Sequence, residues 1–267
     1  MKHVCWIGSV VGLVFAASSV ALAQQAAHFY IRTNCVKVRD GKGPEYAEYL
    51  KNVVAKLAKY RVDNGTSAGY VIAQAVLPAG RAATCDYLLS TGSNEFPREL
   101  TSAEQTDADY AKAGVTMTRG ERIAKQVELS YLVKTEIWSR ADGVGVDITK
   151  GGYITINFFN VKTGMANWLG METSGWKQVA EAGAKEIPGT GWAIWTLTLP
   201  GGQALPYNAM TIDSFPTWEA LGKGLPAQAL WAKVHPQEDF ITHMTKLSGL
   251  AERPHVDVFK VVDFITK

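Results

Sequence analysis

GYVIAQAVLPAG, residues 69–80, returns as GWAIWTLTLPGG, residues 191–202. Glycine, an aromatic, isoleucine, Leu-Pro and a closing glycine hold the same places in both. Each is an apolar, strand-like run stopped by a Pro-containing turn. A phrase written twice, 122 residues apart, raises the question of whether the whole chain is duplicated. Two further landmarks answer it. Val36-Lys37 and Val161-Lys162 precede the first helical run of each half at an offset of 125, and Phe96-Pro97 and Phe215-Pro216 follow at 119. The order is kept, and the drift is what changes in loop length produce. The chain reads as two copies of one unit, residues 28–140 and 152–267. A glycine-rich linker, residues 141–151, joins them.

Within the first copy, residues 29–38 read as a strand. Pro44 opens a helix in which Tyr46, Leu50, Val53, Leu57 and Tyr60 recur on one face. Strands follow at 70–77 and 84–90. The pattern Thr-x-x-Glu at Thr101–Glu104 and Thr118–Glu121 marks helix starts, and a fourth strand covers 131–138. The second copy repeats the plan: strand 153–161, a helix through Trp168 and Val179, strands 192–199 and 207–213, a helix through Phe240 and Leu247, and strand 255–265. Gly170, Gly175 and Gly183 weaken the first of those helices, each by about 1 kcal/mol relative to alanine. Both copies are therefore β-α-β-β-α-β, an α+β unit with helices on one sheet face and the other face bare. Two such sheets cover each other, which is a physical reason for the duplication.

Tandem units of this kind resemble the dimeric α+β barrel superfamily, and within it the NIPSNAP-like branch. The resemblance covers nearly the whole chain and rests on the repeat landmarks, not on a catalytic signature. It implies two ferredoxin-like units packed sheet to sheet as an intramolecular barrel. It also implies a range of functions, from cofactor-free monooxygenases and haem-binding enzymes to proteins with no known activity, because fold does not select chemistry. The strand order of the superfamily places the first and third strands of a unit side by side. That makes Cys35 and Cys85 a candidate disulfide.

The ends and the composition narrow the setting. Residues 1–23 form a basic start, an apolar run and an Ala21-Leu22-Ala23 stop, the pattern of a secretory signal peptide. An exported protein, periplasmic or extracellular, is expected, with no membrane anchor after cleavage. Cys5 leaves with that segment. Apolar residues are 47% of the chain and charged residues 19%, a packed globule by composition. A net charge of +2 offers no electrostatic case for nucleic acid. A monomer or homodimer is expected.

Specific motifs are mostly excluded. Gly65-Thr66-Ser67-Ala68-Gly69 matches G-x-S-x-G, but helix precedes and strand follows, the reverse of a nucleophile elbow. Asn64-Gly65-Thr66 is a glycosylation sequon by pattern and a helix-ending turn by composition. No H-E-x-x-H and no cysteine pair at zinc spacing occurs, so no metal site is expected. His28 and His255 stand at strand starts, where solvent wets them, and His235 precedes Pro236 at a helix entry. His243 shares a helical face with Phe240, Met244 and Leu247 and should point toward the sheet. By the resemblance, the second helix of a unit is where haem-binding members place an imidazole. His243 is thus the candidate catalytic residue or haem ligand, with Asp239 or Tyr207 as its polar partner. Tryptophan concentrates in the second copy; Trp192 and Trp195, Asn157 and Tyr207 are candidate ligand-binding residues.

Three readings follow. The first is a binding protein holding a small apolar molecule in an aromatic-lined pocket. The second is an enzyme of the same fold, haem-dependent through His243 or cofactor-free with Trp195, Asn157 and His243. The third is a ligand-free module that binds a protein partner.

Overall fold

The computed structural model describes residues 29–97, 103–145, 148–162, 164–201 and 206–267. The signal segment 1–23, His28 and the Thr101-Ser102 start of one capping pattern lie outside the described residues. The first half runs β1 (Tyr30–Val38), α1 (Gly43–Tyr49), a π-helical turn (Leu50–Val54) and α2 (Ala55–Asp63). It continues through β2 (Gly69–Leu77), β3 (Tyr87–Ser93), α3 (Ala103–Lys112), α4 (Arg119–Leu129) and β4 (Ser130–Val144). The second runs β5 (Tyr153–Val161), α5 (Met165–Glu186), β6 (Gly191–Leu199), β7 (Ala209–Phe215), α6 (Trp218–Lys223), α7 (Ala227–Val234), α8 (Phe240–Leu250) and β8 (Ala251–Thr266). The repeated phrase is β2 and β6, and both copies end in a cis Leu-Pro bond.

The strands close into one antiparallel barrel in the order β1-β3-β2-β8-β5-β7-β6-β4. Each unit supplies four consecutive strands, and two seams join the units: β4 pairs with β6, and β8 with β2. Facing sheets alone would leave four open edges, each a row of unpaired backbone groups. Closure leaves none. Alternation then separates two environments. Cys35, Ala73 and Leu88 point into the barrel, while their neighbours Val36, Ile72 and Leu89 meet Tyr46, Leu50 and Leu57 of the helices outside. In the second unit Trp168 and Leu247 cover Trp192 and Ile194 in the same way.

Several boundaries differ from the sequence reading. β4 continues through Asp142, Gly143 and Val144, residues placed in the linker, because β6 pairs with them as far as Trp192. β3 starts at Tyr87, so Cys85 precedes it instead of lying on it. Cys35 and Cys85 are nonetheless joined in a disulfide, with Cα atoms 5.2 Å apart. α5 is a continuous 22-residue helix despite its glycines. A Cβ on Gly175 would meet the His243 ring and Trp231, and one on Gly183 would lie 2.7 Å from Leu225. These glycines admit neighbouring segments at close range, which outweighs their helix propensity. The Thr118–Glu121 box caps α4 in both directions: Glu121 accepts from the Thr118 N–H at 2.8 Å, and Thr118 Oγ1 accepts from the Glu121 N–H at 3.3 Å. Among the described residues no helix is long and apolar enough to cross a membrane.

The disulfide spans 50 residues of sequence. Replacing both cysteines with alanine is expected to lower the unfolding free energy by roughly 2–4 kcal/mol, since the unfolded chain regains that loop's freedom. Urea titration of the variant beside the parent, with and without reductant, measures it. A reductant-sensitive parent and an insensitive variant are the expected pair.

Candidate functional site

The barrel interior holds a cavity of about 220 Å³. Eight-stranded barrels are just wide enough for side chains to fill, so the space reflects which residues point inward. Ala73 and Ala193 face it where larger residues would close it, and Gly92 adds a third small position. Ile31, Leu88, Ile154, Ile156, Met210, Ile212 and Phe259 form most of the wall, with Trp138 and Trp195 as its largest members.

One end of the cavity is polar. β4 and β8 run in the same direction on opposite sides of the barrel. Each turns a cation, an acid and an aromatic ring inward at alternate positions: Lys134, Glu136 and Trp138 on β4, and His255, Asp257 and Phe259 on β8. Lys134 Nζ lies 3.0 Å from Glu136 Oε1, and the Tyr207 hydroxyl donates to the same oxygen at 2.5 Å. Lys134 also bonds to the Tyr207 hydroxyl, with its ammonium 4.6 Å from the centre of that ring and 5.5 Å from Phe158. His255 stacks on Phe158 at 4.5 Å, and its Nε2 lies 3.9 Å from the Asp257 carboxylate. Burial raises the Asp257 carboxyl above the usual aspartate range, with His255 and Lys134 opposing the shift. Burial and then the Glu136 bond push the Tyr207 phenol up, so Tyr207 stays a neutral donor.

The residues singled out from sequence fall in three separate places. Trp195 lines the cavity, and Tyr207 joins the polar end behind its wall. Trp192, three residues from Trp195 on the same strand, turns outward under α5 and belongs to the helix layer. Asn157 also faces outward: its amide donates to Asp213 Oδ2 at 2.9 Å and to Thr211 Oγ1 at 3.1 Å. There, burial and then the nearby Asp213 raise the carboxyl of Glu172, on α5, to about 8, and burial raises Asp213 as well. Asn157 and Trp195 therefore stand on opposite faces of the barrel wall, and the trio with His243 does not converge.

His243 is buried, 3% exposed, but not against the cavity. Its ring lies 4.4 Å from Trp231 of α7, and its Nδ1 is 3.2 Å from Glu238. Asp239 is no partner to it: that carboxylate caps α8 by accepting from the Thr242 N–H at 2.8 Å. The helical face was read correctly, and Leu247 on it does cover the sheet, but His243 itself packs on α5 and α7. Nε2 has no hydrogen-bond partner, and a Cβ on Gly175 would sit 2.8 Å from it. Iron ligation needs an open approach to a ring nitrogen and a slot for a porphyrin. Here the backbone of α5 and the Trp231 ring fill both. His255, which does reach the cavity, opens onto a space suited to one or two rings. The residues present do not fit haem. Among the described residues no three metal-ligating side chains are gathered together.

Sequence reasoning missed Lys134, Glu136, His255 and Asp257. The signal was there: Lys134-x-Glu136-x-Trp138 and His255-x-Asp257-x-Phe259 are one more echo between the two halves. His255 is not at a strand start, because β8 begins four residues earlier; its side chain lines the cavity and is also wetted by solvent, 36% exposed.

No family model matches the chain, and no curated protein matches it. Solved structures do share the fold. A candidate monooxygenase from Lactobacillus acidophilus NCFM superposes with a TM-score of 0.53 at 9% identity, over 90% of this chain and 96% of that one. A candidate monooxygenase from Fusobacterium nucleatum gives 0.52 at 9% identity, over 91% and 96%. The likeness is one of fold: an eight-stranded antiparallel α+β barrel shared at very low sequence identity.

Proposed function

We propose that this chain is an exported binding protein that holds a small, mostly apolar molecule inside its barrel. The carrying observation is the 220 Å³ interior cavity, walled by apolar and aromatic side chains. An apolar cavity of about 150 Å³ takes up benzene, so this one suits a compound of one ring and a short substituent. Export rests on the signal pattern of residues 1–23, and the Cys35–Cys85 disulfide supports an oxidising compartment. Within the superfamily we place the chain in the NIPSNAP-like branch on its tandem units, 28–140 and 152–267, with residues 141–144 given to the first unit and 145–151 left as the linker. A mature N-terminus at Gln24, read by mass spectrometry of the secreted protein, tests the export part. An uncleaved chain refutes it.

Binding is tested by titrating the mature protein with toluene, following tryptophan fluorescence and the unfolding temperature. Saturable one-to-one binding is expected, with quenching through Trp138 and Trp195. Ala193→Phe fills the space and is expected to weaken binding at least tenfold while the far-ultraviolet spectrum stays unchanged. No saturable binding of toluene or of a polar one-ring analogue to the parent, or equal binding to a folded Ala193→Phe, overturns the reading.

A second reading, a cofactor-free enzyme, draws on the Tyr207–Glu136–Lys134 relay at the cavity wall. A carboxylate at that position is suited to accept a proton from a bound molecule. Glu136→Gln abolishing turnover without loss of binding is its test.

A further inference from the structure

The two seams of the barrel are related by the repeat, so matching positions can be compared directly. At the β4–β6 seam Arg140 pairs with Trp195. At the β8–β2 seam the equivalent pair is Val261 and Ala73. All four side chains belong to the barrel interior, and Arg140, Trp195 and Ala73 border the cavity. One seam is therefore small and wholly apolar, and the other carries a guanidinium beside an indole.

Both polar groups on that seam are short of partners. Among the described residues Arg140 has no carboxylate partner. Among those residues the one hydrogen bond of its guanidinium goes to the Asp142 carbonyl at 3.4 Å, while the Asp142 carboxylate is taken by Lys177 at 2.9 and 3.1 Å. Trp195 is 5% exposed, and its indole N–H has no acceptor among the described residues. A buried donor without a partner is rare in folded proteins and calls for an explanation. The opposite end of the cavity differs: Lys134 is neutralised by Glu136, and His255 faces Asp257. That end meets its own charges, and the Arg140 end does not.

Resting on the binding reading above, we propose that the ligand is a small aromatic or aliphatic monocarboxylic acid. Its apolar body lies over Ala73 and Val71 on the opposite wall. Its carboxylate pairs with the Arg140 guanidinium and accepts the Trp195 N–H. The contact is charge-assisted and removed from bulk water, the setting in which such bonds are strongest.

Three probes of one shape separate the possibilities: benzoate, benzamide and toluene, each titrated calorimetrically into the mature protein. The expected order is benzoate tightest, benzamide next and toluene weakest, with benzoate at least tenfold tighter than toluene. Arg140→Met is expected to remove that advantage and leave toluene within twofold. Trp195→Phe is expected to weaken benzoate and benzamide alike, and toluene little. The comparison within the parent protein holds even if a variant fails to fold. Toluene binding as tightly as benzoate overturns the carboxylate assignment and leaves the cavity reading standing. Benzoate binding that survives Arg140→Met but fails in Lys134→Met overturns it too, since the acid would then lie at the opposite end. Failure of all three probes to bind removes the binding reading itself.

Discussion

Between pH 5 and pH 8 the protein is expected to lose stability steadily, and Glu172→Gln should abolish most of that loss. Glu172, on the buried face of α5, is 3% exposed, and its carboxyl is raised from 4.5 to about 8 by burial and then by Asp213. The folded state therefore keeps a proton that the unfolded chain releases above pH 4.5. Wherever the folded state binds more protons, stability falls as pH rises. The loss begins near 4.5, continues to about 8 and then levels off, and a shift of this size corresponds to roughly 5 kcal/mol. Glutamine keeps the shape and neutrality of the protonated acid, so the variant should gain roughly 3–4 kcal/mol at pH 8 and little at pH 4.5. Asp213, shifted in the same direction, leaves a residual slope of its own. Urea midpoints of parent and variant across pH 4.5–9 decide it, and parallel profiles would refute the assignment.

The second large effect is expected at the polar end of the cavity. Glu136 is 6% exposed and holds both Lys134 and the Tyr207 hydroxyl. Lys134→Met removes the countercharge and leaves a carboxylate in the barrel wall. Breaking one partner of an enclosed ion pair costs several kcal/mol. With the Lys134 side chain 29% exposed, roughly 2–4 kcal/mol is expected. The double variant Lys134→Met/Glu136→Leu buries no charge there and should recover most of the loss, with the Tyr207 hydroxyl left to find water. The diagnostic is the coupling between the two sites in a double-mutant cycle. Additive losses would mean that Lys134 is solvated on its own and contributes nothing through Glu136.

The fold was legible because a strand and its turn leave a local imprint, and here they left it twice. The β2 and β6 phrases, the Tyr46–Leu57 stripe and the Thr118–Glu121 box all describe neighbours in sequence. The site was less legible, because it depends on which face of the wall a residue takes. His243 shows the limit: helical spacing finds a buried face, but not whether a sheet or another helix covers it. Trp192 and Trp195 show the same limit in a strand, where parity puts them on opposite sides without saying which is inside. Glu172 carries no sequence mark, because its neutrality comes from burial and from Asp213, a residue distant in sequence. The inward row of β4 could have been found by setting KTEIW beside HVDVF.

The joining of both units in one chain has an evolutionary consequence. A barrel built from two identical, separate subunits must repeat every residue about its axis, so an arginine at position 140 would meet a second arginine across the cavity. Fusion lifts that constraint. Val261 can stand where Arg140 stands, and Ala73 where Trp195 does. A space that symmetry would force to treat both sides alike acquires a handed interior, with one wall for hydrocarbon and the other for charge.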